Sequence, residues 1–266
     1  QKFKIGDRVF GSADLAGGSY AEYTTMAEDG VILKIPDGIP FDQAAAIVEG
    51  ASTALPFLQS LAKLQARQKI LVNGASGAIG TAAIQLAKYF GAEVTAVCSS
   101  ANLALVKSLG ADHAIDYQKE DFTKASNRYD VIFDTVGKSS FGQSKAALKP
   151  NGLYLSPVLG MGMLMDMLKT SLTYKIRKNG KKAIFAATGM VDDQTKLANL
   201  QLIRKLINTG ILKAAIDRSY TIDDVQEAHR YVEKGHKKGN VVIKMPVYQS
   251  EQALNKIITA AKVEQS

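Results

Sequence analysis

The sequence predicts an α/β fold with a doubly wound, mostly parallel sheet. Two observations predict it. First, short apolar runs such as Ile70, Leu71 and Val72 are typical of strands that are covered on both faces. Second, strand-like and helix-like segments alternate with short connections through the middle of the chain, which requires crossovers of one hand and helices on both faces of the sheet.

The elements follow in order along the chain. Strands are predicted within residues 6–11 and 19–26, a turn at 36–39 and a helix at 41–54. The alternating part has strands at 70–72, 94–97, 114–116, 131–134, 153–156 and 183–187, and helices at 78–90, 103–109, 141–148 and 195–208. A strand at 212–220, a helix at 223–233, a strand at 240–245 and an amphipathic helix within 247–266 complete the chain.

A glycine-rich turn joins the first buried strand to the first helix of this alternation. The turn approximates the G-x-G-x-x-G pattern: Ala75 replaces its first glycine, and the glycines present are Gly74, Gly77 and Gly80. Gly77 lacks the Cβ that would keep a pyrophosphate from the backbone, and Gly80 lets the helix pack close to its strand. Because a strand precedes the turn and a helix follows it, we interpret it as a dinucleotide-binding turn rather than a purely structural one.

The composition argues against disulfide-rich, metal-binding and membrane-spanning classes of protein. With 266 residues, 46% of them hydrophobic, the chain has enough material for a substantial core. A single cysteine, Cys98, and three dispersed histidines give no disulfide framework and no metal-ligand spacing. No apolar run is long enough for a membrane span, and no secretion signal opens the chain, so we expect a cytoplasmic protein.

Two segments have open interpretations. The net charge of +8 is concentrated partly in residues 169–182, which we interpret as a solvated face rather than a patch that binds nucleic acid or lipid. Four methionines in 161–167 indicate either irregular core filling or a flexible wall or subunit contact, since methionine serves both roles.

Several motifs together resemble one family. They are GDRVFG (6–11), GSYAEY (18–23), AAAI (44–47), NGASGAIG (73–80), SLGADHAIDY (108–117), YDVIFDTVG (129–137) and GHKKGNVVIK (235–244). Their order and spacing resemble the medium-chain dehydrogenase/reductase superfamily, and the nearest branch is that of the zinc-independent quinone oxidoreductases.

The resemblance implies a domain organisation. Residues 1–52 correspond to part of a GroES-like small β-barrel catalytic domain, 53–210 to a Rossmann-type NADP-binding domain, 211–246 to a return to the catalytic domain and 247–266 to a helical tail. Family members begin with about one barrel's worth of chain before the GDRV turn, a length that fits ordinary domain anatomy. We therefore expect that portion to be missing here, and the 266 residues to bind cofactor with little turnover.

The resemblance also implies a function: hydride transfer from NADPH to a quinone or an α,β-unsaturated carbonyl, by a homodimer that binds no nucleic acid. Thr53 corresponds to the family threonine beside the nicotinamide, and Tyr20 is a second candidate catalytic residue. The expected cofactor-binding residues are Gly74, Ala75, Ser76, Gly77, Ala78, Ile79, Gly80, Ser99, Ser100, Asn102, Tyr117, Thr135, Val136, Gly137 and Asn240.

Metal dependence separates the alternatives. The four-cysteine lobe of zinc alcohol dehydrogenases is absent, and Glu49, which falls at a zinc-ligand position of those relatives, has no Cys or His near it in sequence. We therefore expect no metal site. A zinc-dependent alcohol dehydrogenase, and a non-catalytic protein that binds NADPH together with RNA or a partner, stay open as alternatives.

The sequence favours NADPH over NADH. About twenty residues after the glycine turn, where an NAD enzyme places an acid, the chain reads Cys98-Ser99-Ser100. Ser99 and Ser100 are hydrogen-bond donors for a 2′-phosphate, and the resemblance places Tyr117 at the same phosphate. The lysine that the family often uses there is replaced by Asn102.

Overall fold

The computed structural model describes residues 2–12, 19–176 and 180–245, without the side chains of 172–176. Its strands are β1 (Val9–Gly11), β2 (Ile32–Lys34), β3 (Lys69–Asn73), β4 (Glu93–Cys98), β5 (His113–Asp116), β6 (Tyr129–Asp134), β7 (Leu148–Ser156), β8 (Lys182–Phe185), β9 (Ile216–Thr221) and β10 (Asn240–Lys244). Its α-helices are α1 (Phe41–Pro56), α2 (Ala78–Tyr89), α3 (Leu103–Ser108), α4 (Phe141–Ser144), α5 (Met161–Ile176), α6 (Asp193–Asn208) and α7 (Val225–Glu233).

Six strands form the central sheet, in the order β5-β4-β3-β6-β7-β8. Every neighbouring pair in it is parallel. The α/β fold with a parallel sheet is therefore confirmed, and so is the position of the glycine turn between β3 and α2.

The sheet is covered on both faces. Ile70 and Val72 are fully buried in one apolar cluster together with residues of α1, α2 and α6, whereas Leu71 between them is fully buried in the cluster on the other face. Phe141 of α4 and Met163 of α5 pack against that second cluster. This two-sided burial explains why β3 is a continuous apolar run instead of an alternating one.

The strand order reverses between β3 and β6. From β3 the chain proceeds to β4 and β5 on one side, and it then returns to add β6, β7 and β8 on the other side. Crossovers of one hand therefore put their helices on opposite faces, and a crevice opens between the carboxyl ends of β3 and β6. Asn73 and Asp134, which are paired in register, mark this switch point.

Outside the central sheet lie two small sheets. β1 and β2 pair antiparallel, and β9 and β10 pair parallel. α1 and α6 link β1–β2 to the main core, since α6 contacts β2 and α1 contacts β1, α2 and β10. The domain boundaries at residues 52 and 210 stay a prediction.

One predicted barrel strand is wrong. Residues 19–26 contain no strand, although their polar and aromatic residues alternate. All side chains from Ser19 to Thr25 are exposed, and the Tyr20 ring packs edge-on against His229 of α7 at 5.8 Å. A strand needs a hydrogen-bonded neighbour, and within the described residues this segment pairs with none.

Among the element boundaries that differ from the prediction, two are explained by strand pairing that overrides local propensity. α4 ends at Ser144 instead of continuing to Leu148, since Leu148 already pairs with Tyr129 at the start of β7. β9 begins only at Ile216, where its pairing with β10 starts, and not at Leu212.

The methionine segment forms the first part of α5. Met163 packs against the core, but Met161 and Met165 are 78% and 48% exposed, so irregular core filling is the wrong interpretation for those two residues. The basic segment falls partly, and the predicted helix within 247–266 entirely, outside the described residues. None of the helices that the structure describes combines the length and apolarity required to span a membrane.

Candidate functional site

The turn between β3 and α2 is built by glycine conformations and close backbone contacts. Gly74 has φ of +74°, a region that favours glycine, and a Cβ there would lie 2.5 Å from Val136 Cγ1. At Gly80 a Cβ would lie 2.3 Å from the carbonyl oxygen of Gly74. Gly80 therefore allows α2 to pack against the turn, as the sequence predicted.

Gly77 differs from these two glycines. Its φ is −82°, which any residue adopts, and a Cβ there would meet only Gly74 O at 3.4 Å. Packing within the protein does not require a glycine at this position. The space that a side chain would occupy faces a cavity lined by Gly77 itself, next to the N-terminus of α2.

The second wall of the crevice is the loop that follows β6. Thr135 donates to the carbonyl oxygen of Asn73 through both its backbone N–H, at 3.1 Å, and its hydroxyl, at 2.8 Å. The loop thereby joins the carboxyl ends of β6 and β3. Gly137 has φ of +65°, and a Cβ there would lie 3.0 Å from Val158.

The fully buried carboxylate of Asp134 organises this loop. It accepts hydrogen bonds from the backbone N–H groups of Gly137 and Ser139, at 3.1 and 2.9 Å, and from the Tyr154 hydroxyl at 2.9 Å. The Asn73 side-chain amide donates to it as well, at 3.0 Å. Burial, and then the Asp134 charge, raise the pKa of the Tyr154 phenol, which keeps it protonated as a donor.

A third wall comes from the carboxyl ends of β4 and β5. Asn102 donates from Nδ2 to the Ser76 hydroxyl at 3.0 Å and so links this wall to the glycine turn. The Ser100 hydroxyl donates to Asp116, which also accepts from the Gln118 backbone N–H at 3.0 Å. Donation from Ser100 lowers the pKa of Asp116, so this carboxylate is charged at neutral pH.

The position of Asp116 corrects the sequence-based expectation that no carboxylate lies near Ser99 and Ser100. No acid follows β4 directly, but the parallel pairing of β4 with β5 brings the Asp116 carboxylate to Ser100. The Ser100 hydroxyl uses its one hydrogen in the bond to that carboxylate and so does not donate to a 2′-phosphate. The only signal in the sequence was the acid at the end of the next predicted strand.

These walls enclose one cavity of about 1330 Å³. Eleven of the predicted cofactor residues line it, namely Gly74, Ser76, Gly77, Ala78, Ile79, Ser99, Ser100, Asn102, Tyr117, Thr135 and Val136. Ala75, Gly80, Gly137 and Asn240 do not line it. Ala75 is fully buried, and Asn240 donates from its backbone and side chain to Ala215 O.

One lining segment was missed as a functional element. The loop between α7 and β10 contributes Lys234, Gly235, His236, Lys237 and Lys238 to the cavity. Its sequence signal was a run of basic residues between two glycines. Residues 235–238 also belong to the motif GHKKGNVVIK (235–244).

The candidate catalytic residues lie outside the cavity lining. Thr53 is on α1, one helical turn after Gly50. At Gly50, a Cβ would lie 2.4 Å from Ala78 O at the start of α2. Tyr20 is 60% exposed and packs against His229. The structure thus brings α1 to the edge of the glycine turn, but it does not bring Tyr20 to the cavity.

Metal ligation has little support in the donor set. In the described part of the chain, no group of three or more His, Cys, Asp or Glu side chains is arranged to hold a metal ion. Glu49 is exposed on α1. Among the described residues, the side chains therefore do not fit a zinc ion.

The single cysteine lies at the rim of the cavity. Cys98 ends β4 and is 3% exposed. Burial, followed by the charge of Asp116, raises the pKa of its thiol to about 11. At neutral pH the group is therefore a thiol and a poor nucleophile.

Comparison with known proteins points to one family. The family profile described as zinc-binding dehydrogenase matches residues 109–243. The chain is 35% identical over 251 residues to 2-methylene-furan-3-one reductase of Solanum lycopersicum, which covers 90% of this chain and 58% of that protein. It is 29% identical over 274 residues to the mitochondrial NAD(P)H oxidoreductase RTN4IP1 of Danio rerio, with 94% of this chain and 68% of that protein covered.

Solved structures agree with the sequence relatives. The quinone oxidoreductase of Coxiella burnetii superposes with a TM-score of 0.76 at 29% identity, over 92% of this chain and 74% of that one. The chain thus spans about three fifths to three quarters of the length of these relatives. It belongs to the zinc-binding dehydrogenase family, in the quinone oxidoreductase-like branch of the medium-chain dehydrogenase/reductase superfamily.

Proposed function

We propose that the protein is an NADPH-dependent oxidoreductase that transfers hydride to a quinone or an α,β-unsaturated carbonyl without zinc. The observation that carries the proposal is the cavity at the switch point of the sheet, with Gly77 open to it at the N-terminus of α2. Ligands of such sheets bind in the crevice beyond the carboxyl ends of the strands, where the strand order reverses.

A dinucleotide fits the residues that are present. The glycine turn offers backbone N–H groups and the positive end of a 12-residue helix to a pyrophosphate. Ser99 and Tyr117 lie on the β4–β5 wall, where the adenosine ribose would be held, and Thr135 and Val136 lie on the opposite wall. The volume of about 1330 Å³ is ample for a dinucleotide.

The preference for NADPH rests on the β4–β5 wall. No acidic side chain follows β4 directly, and Asp116 at the end of β5 is 7% exposed and held by Ser100. Asp121, which lines the cavity, accepts from the backbone N–H of Thr123 at 2.9 Å. Ser99 and Tyr117 supply donors for a 2′-phosphate. The relatives' names support a nicotinamide cofactor, since one of them is called an NAD(P)H oxidoreductase.

When bound, a nicotinamide supplies the hydride, and the protein orients the acceptor against it. We propose Thr53 for this positioning, because α1 meets the start of α2 at Gly50 and Thr53 is one helical turn further on. Tyr20 stays a weaker proposal, since it stands against His229. The relatives' names, which include a furanone reductase and quinone oxidoreductases, support an activated alkene or a quinone as the acceptor.

The test combines binding and turnover. NADPH and NADH are titrated by the change in nicotinamide fluorescence, and NADPH oxidation is followed with an enone or a quinone as acceptor, using the intact protein. We expect NADPH to bind more tightly and turnover to survive dialysis against a strong chelator. Loss of turnover on chelation, with recovery on adding zinc, would favour a zinc alcohol dehydrogenase instead. RNA binding with steep salt dependence and without turnover would favour a binding protein.

We also propose a homodimer. β8 is a terminal strand of the central sheet, and the neighbouring α5 exposes Met161, Leu164, Met165 and Leu168. An open strand edge and an apolar helix face are features that protein contacts cover. Sedimentation equilibrium tests this directly, and a monomer at micromolar concentration would contradict it.

A further inference from the structure

The terminal strand β8 is open along only part of its outer edge, because α5 covers the rest. The backbone N–H of Ala183, a residue in register with Tyr154 of β7, donates to Thr170 Oγ1 of α5 at 3.2 Å and not to β7. This N–H therefore points to the side on which a further strand would have to pair. Ala183 is 1% exposed, so the strand of a second copy cannot reach this donor.

The helix α5 has an inner and an outer side. On the inner side, Met163 packs against the core and Thr170 binds β8. On the other side, four large apolar residues follow the i, i+3, i+4, i+7 spacing of one helical stripe and are 42–78% exposed. They are Met161, Leu164, Met165 and Leu168, here called the outer face of α5. The same helix that closes the edge of β8 thus presents an apolar surface of its own.

The outer face of α5 matches itself when a second copy is turned end to end. Its spacing is unchanged by reversal, so an antiparallel pair places Met161 against the partner's Leu168 and Leu164 against the partner's Met165. Each contact combines an adaptable methionine with a branched leucine, and no charge lies in either pair. A surface that meets its own copy about a twofold axis is the usual basis of a dimer.

The charges along α5 favour the antiparallel arrangement over the parallel one. Asp166 lies in the N-terminal half of the helix, and Lys169 and Lys175 lie in its C-terminal half. Antiparallel packing puts each acidic half beside the partner's basic half and also sets the two helix dipoles against each other. Parallel packing would bring the two basic halves together.

The size of the apolar surface indicates how tightly two copies associate. Val158 and Leu159, which precede α5, are 44% and 54% exposed and enlarge the surface. Together with the outer face they expose on the order of 500 Å² of apolar area, whereas a standard interface buries about 800 Å² per partner. The contact is smaller than that of a permanent dimer, so monomer and dimer are in reversible equilibrium.

We propose that two copies of this chain associate through the outer face of α5, with the helices antiparallel about a twofold axis between Leu164 and Met165, and not by joining their β8 edges. The inference rests on the homodimer of the proposed function and names the surface that forms it. Thr170 has a double role in this arrangement, since it closes the strand edge at Ala183 and holds α5 with its apolar stripe turned outward.

Sedimentation equilibrium on the intact protein compares the wild type with Leu164→Glu/Met165→Glu. Met190→Glu is the matched control, because Met190 is 77% exposed and lies outside α5. None of these three residues lines the cavity, so unchanged NADPH binding shows that each variant is folded. We expect the double variant to raise the dissociation constant of the dimer at least about hundredfold, because it places four unpaired carboxylates at the axis, and Met190→Glu to change it less than about threefold.

Single cysteines distinguish the geometries. Cys98 is the only cysteine of the chain, so the variants are made in a Cys98→Ala background. On oxidation we expect Met165→Cys, next to the axis, to form a disulfide between two copies, because only cysteines whose Cα atoms approach within about 7 Å can be bridged. Met161→Cys, at the far end of the outer face, should form none. Ile184→Cys on β8 reports pairing of sheet edges and should also stay monomeric on a non-reducing gel.

Several outcomes overturn the inference. A wild-type dissociation constant in Leu164→Glu/Met165→Glu means that the outer face carries no contact. Cross-linking of Ile184→Cys without that of Met165→Cys moves the contact to the sheet edge, and cross-linking of Met161→Cys makes the helices parallel. A wild-type monomer that sediments with vesicles of phosphatidylcholine and phosphatidylserine assigns the outer face to a lipid surface.

A wild-type monomer that does not bind these vesicles contradicts the homodimer itself. The oxidoreductase proposal is judged separately by NADPH binding and NADPH oxidation of the wild type, which do not depend on the result of sedimentation. Its failure and the failure of the α5 interface are therefore distinguishable.

Discussion

The backbone N–H of Gly239 donates to the carbonyl oxygen of Ser76 at 2.6 Å and joins the last part of the chain to the glycine turn more than 160 residues earlier. Gly239 has φ of +69°, and a Cβ there would lie 2.2 Å from Ala215 O. The contact therefore depends on a glycine for two reasons, one conformational and one steric.

Gly239→Ala should displace the loop of residues 234–238, between α7 and β10, from the glycine turn. Gly235→Ala is the matched control, since Gly235 has φ of +73° and no atom within 4 Å of its added Cβ. We expect Gly235→Ala to lower the free energy of unfolding by only ~1 kcal/mol, the cost of a left-handed alanine, and Gly239→Ala to lower it by more. Urea unfolding measures this difference, and equal losses would show that the clash with Ala215 is relieved without cost.

Gly77→Val should separate cofactor binding from folding. Gly77 has an ordinary φ, lines the cavity, and would place a Cβ in ordinary contact with Gly74 O at 3.4 Å, so a Cβ there displaces no protein atom. We expect the melting temperature to change little and NADPH affinity to fall at least about tenfold, because the side chain blocks the approach of a pyrophosphate to the backbone.

Gly80→Ala is the opposite case. Its Cβ would lie 2.3 Å from Gly74 O and 2.6 Å from Ala75 Cα, so α2 must move away from the turn. Overpacking of this kind costs about 1–3 kcal/mol of unfolding free energy. Wild-type NADPH affinity in Gly77→Val, or a larger stability loss there than in Gly80→Ala, would mean that the turn is structural only.

Local patterns predicted the central sheet because both of its faces are buried. Ile70, Leu71 and Val72 form an apolar run that is typical of a strand covered on both faces. The glycines at 74, 77 and 80 indicate a dinucleotide-binding turn between a strand and a helix. The segment 19–26 shows the limit of this approach. Its alternation is typical of a strand, but pairing depends on a neighbour, which propensity does not supply.

The parts of the site that were missed depend on distant contacts. Asp116 reaches Ser100 because β5 pairs with β4. The loop of residues 234–238 reaches the glycine turn because Gly239 donates to Ser76 O, while the next residue, Asn240, is held at Ala215 O. Neither relationship leaves a periodic signal in the sequence. A run of charged residues is usually a solvated face, and burial against a turn is a property of the folded chain.

Cys98 should make the protein less stable in alkali. Burial and the Asp116 charge raise the pKa of its thiol from the ordinary 9.0 to about 11. In the unfolded chain the thiol ionises first, so the stability that this group contributes is complete below pH 9 and is lost as the pH rises through 11.

The measurement compares the urea unfolding of the wild type with that of Cys98→Ala between pH 7 and 11. Below pH 9 we expect the unfolding free energies of the wild type and of Cys98→Ala to differ by a constant amount. Above pH 9 the wild type should lose stability faster than Cys98→Ala. Tyr129 and Tyr154, whose pKa values burial also raises, give both proteins a common alkaline loss. Parallel curves over the whole range would mean that the thiol titrates alike in the folded and unfolded chains.

Asp116→Asn should strengthen the preference for NADPH. The Asp116 carboxylate accepts from Ser100 and the Gln118 N–H, and its oxygen lies 3.9 Å from Lys119 Nζ, an exposed and therefore weak counter-charge. Ser100 and the Gln118 N–H donate to different oxygens of Asp116, so asparagine keeps only one of these two acceptors. It removes the negative charge behind a wall lined by Ser99, Ser100 and Tyr117.

The negative charge of Asp116 repels a 2′-phosphate at that wall, and the surroundings partly screen this repulsion. We therefore expect the dissociation constant of NADPH to fall about threefold in Asp116→Asn. The dissociation constant of NADH should stay unchanged. Titration of both nucleotides at low and at moderate salt measures this effect, and the gain for NADPH should shrink as salt screens the charge. A loss of NADH affinity in the variant, without a gain for NADPH, would show that Asp116 holds the ribose hydroxyls instead, and the cofactor preference would then be for NADH.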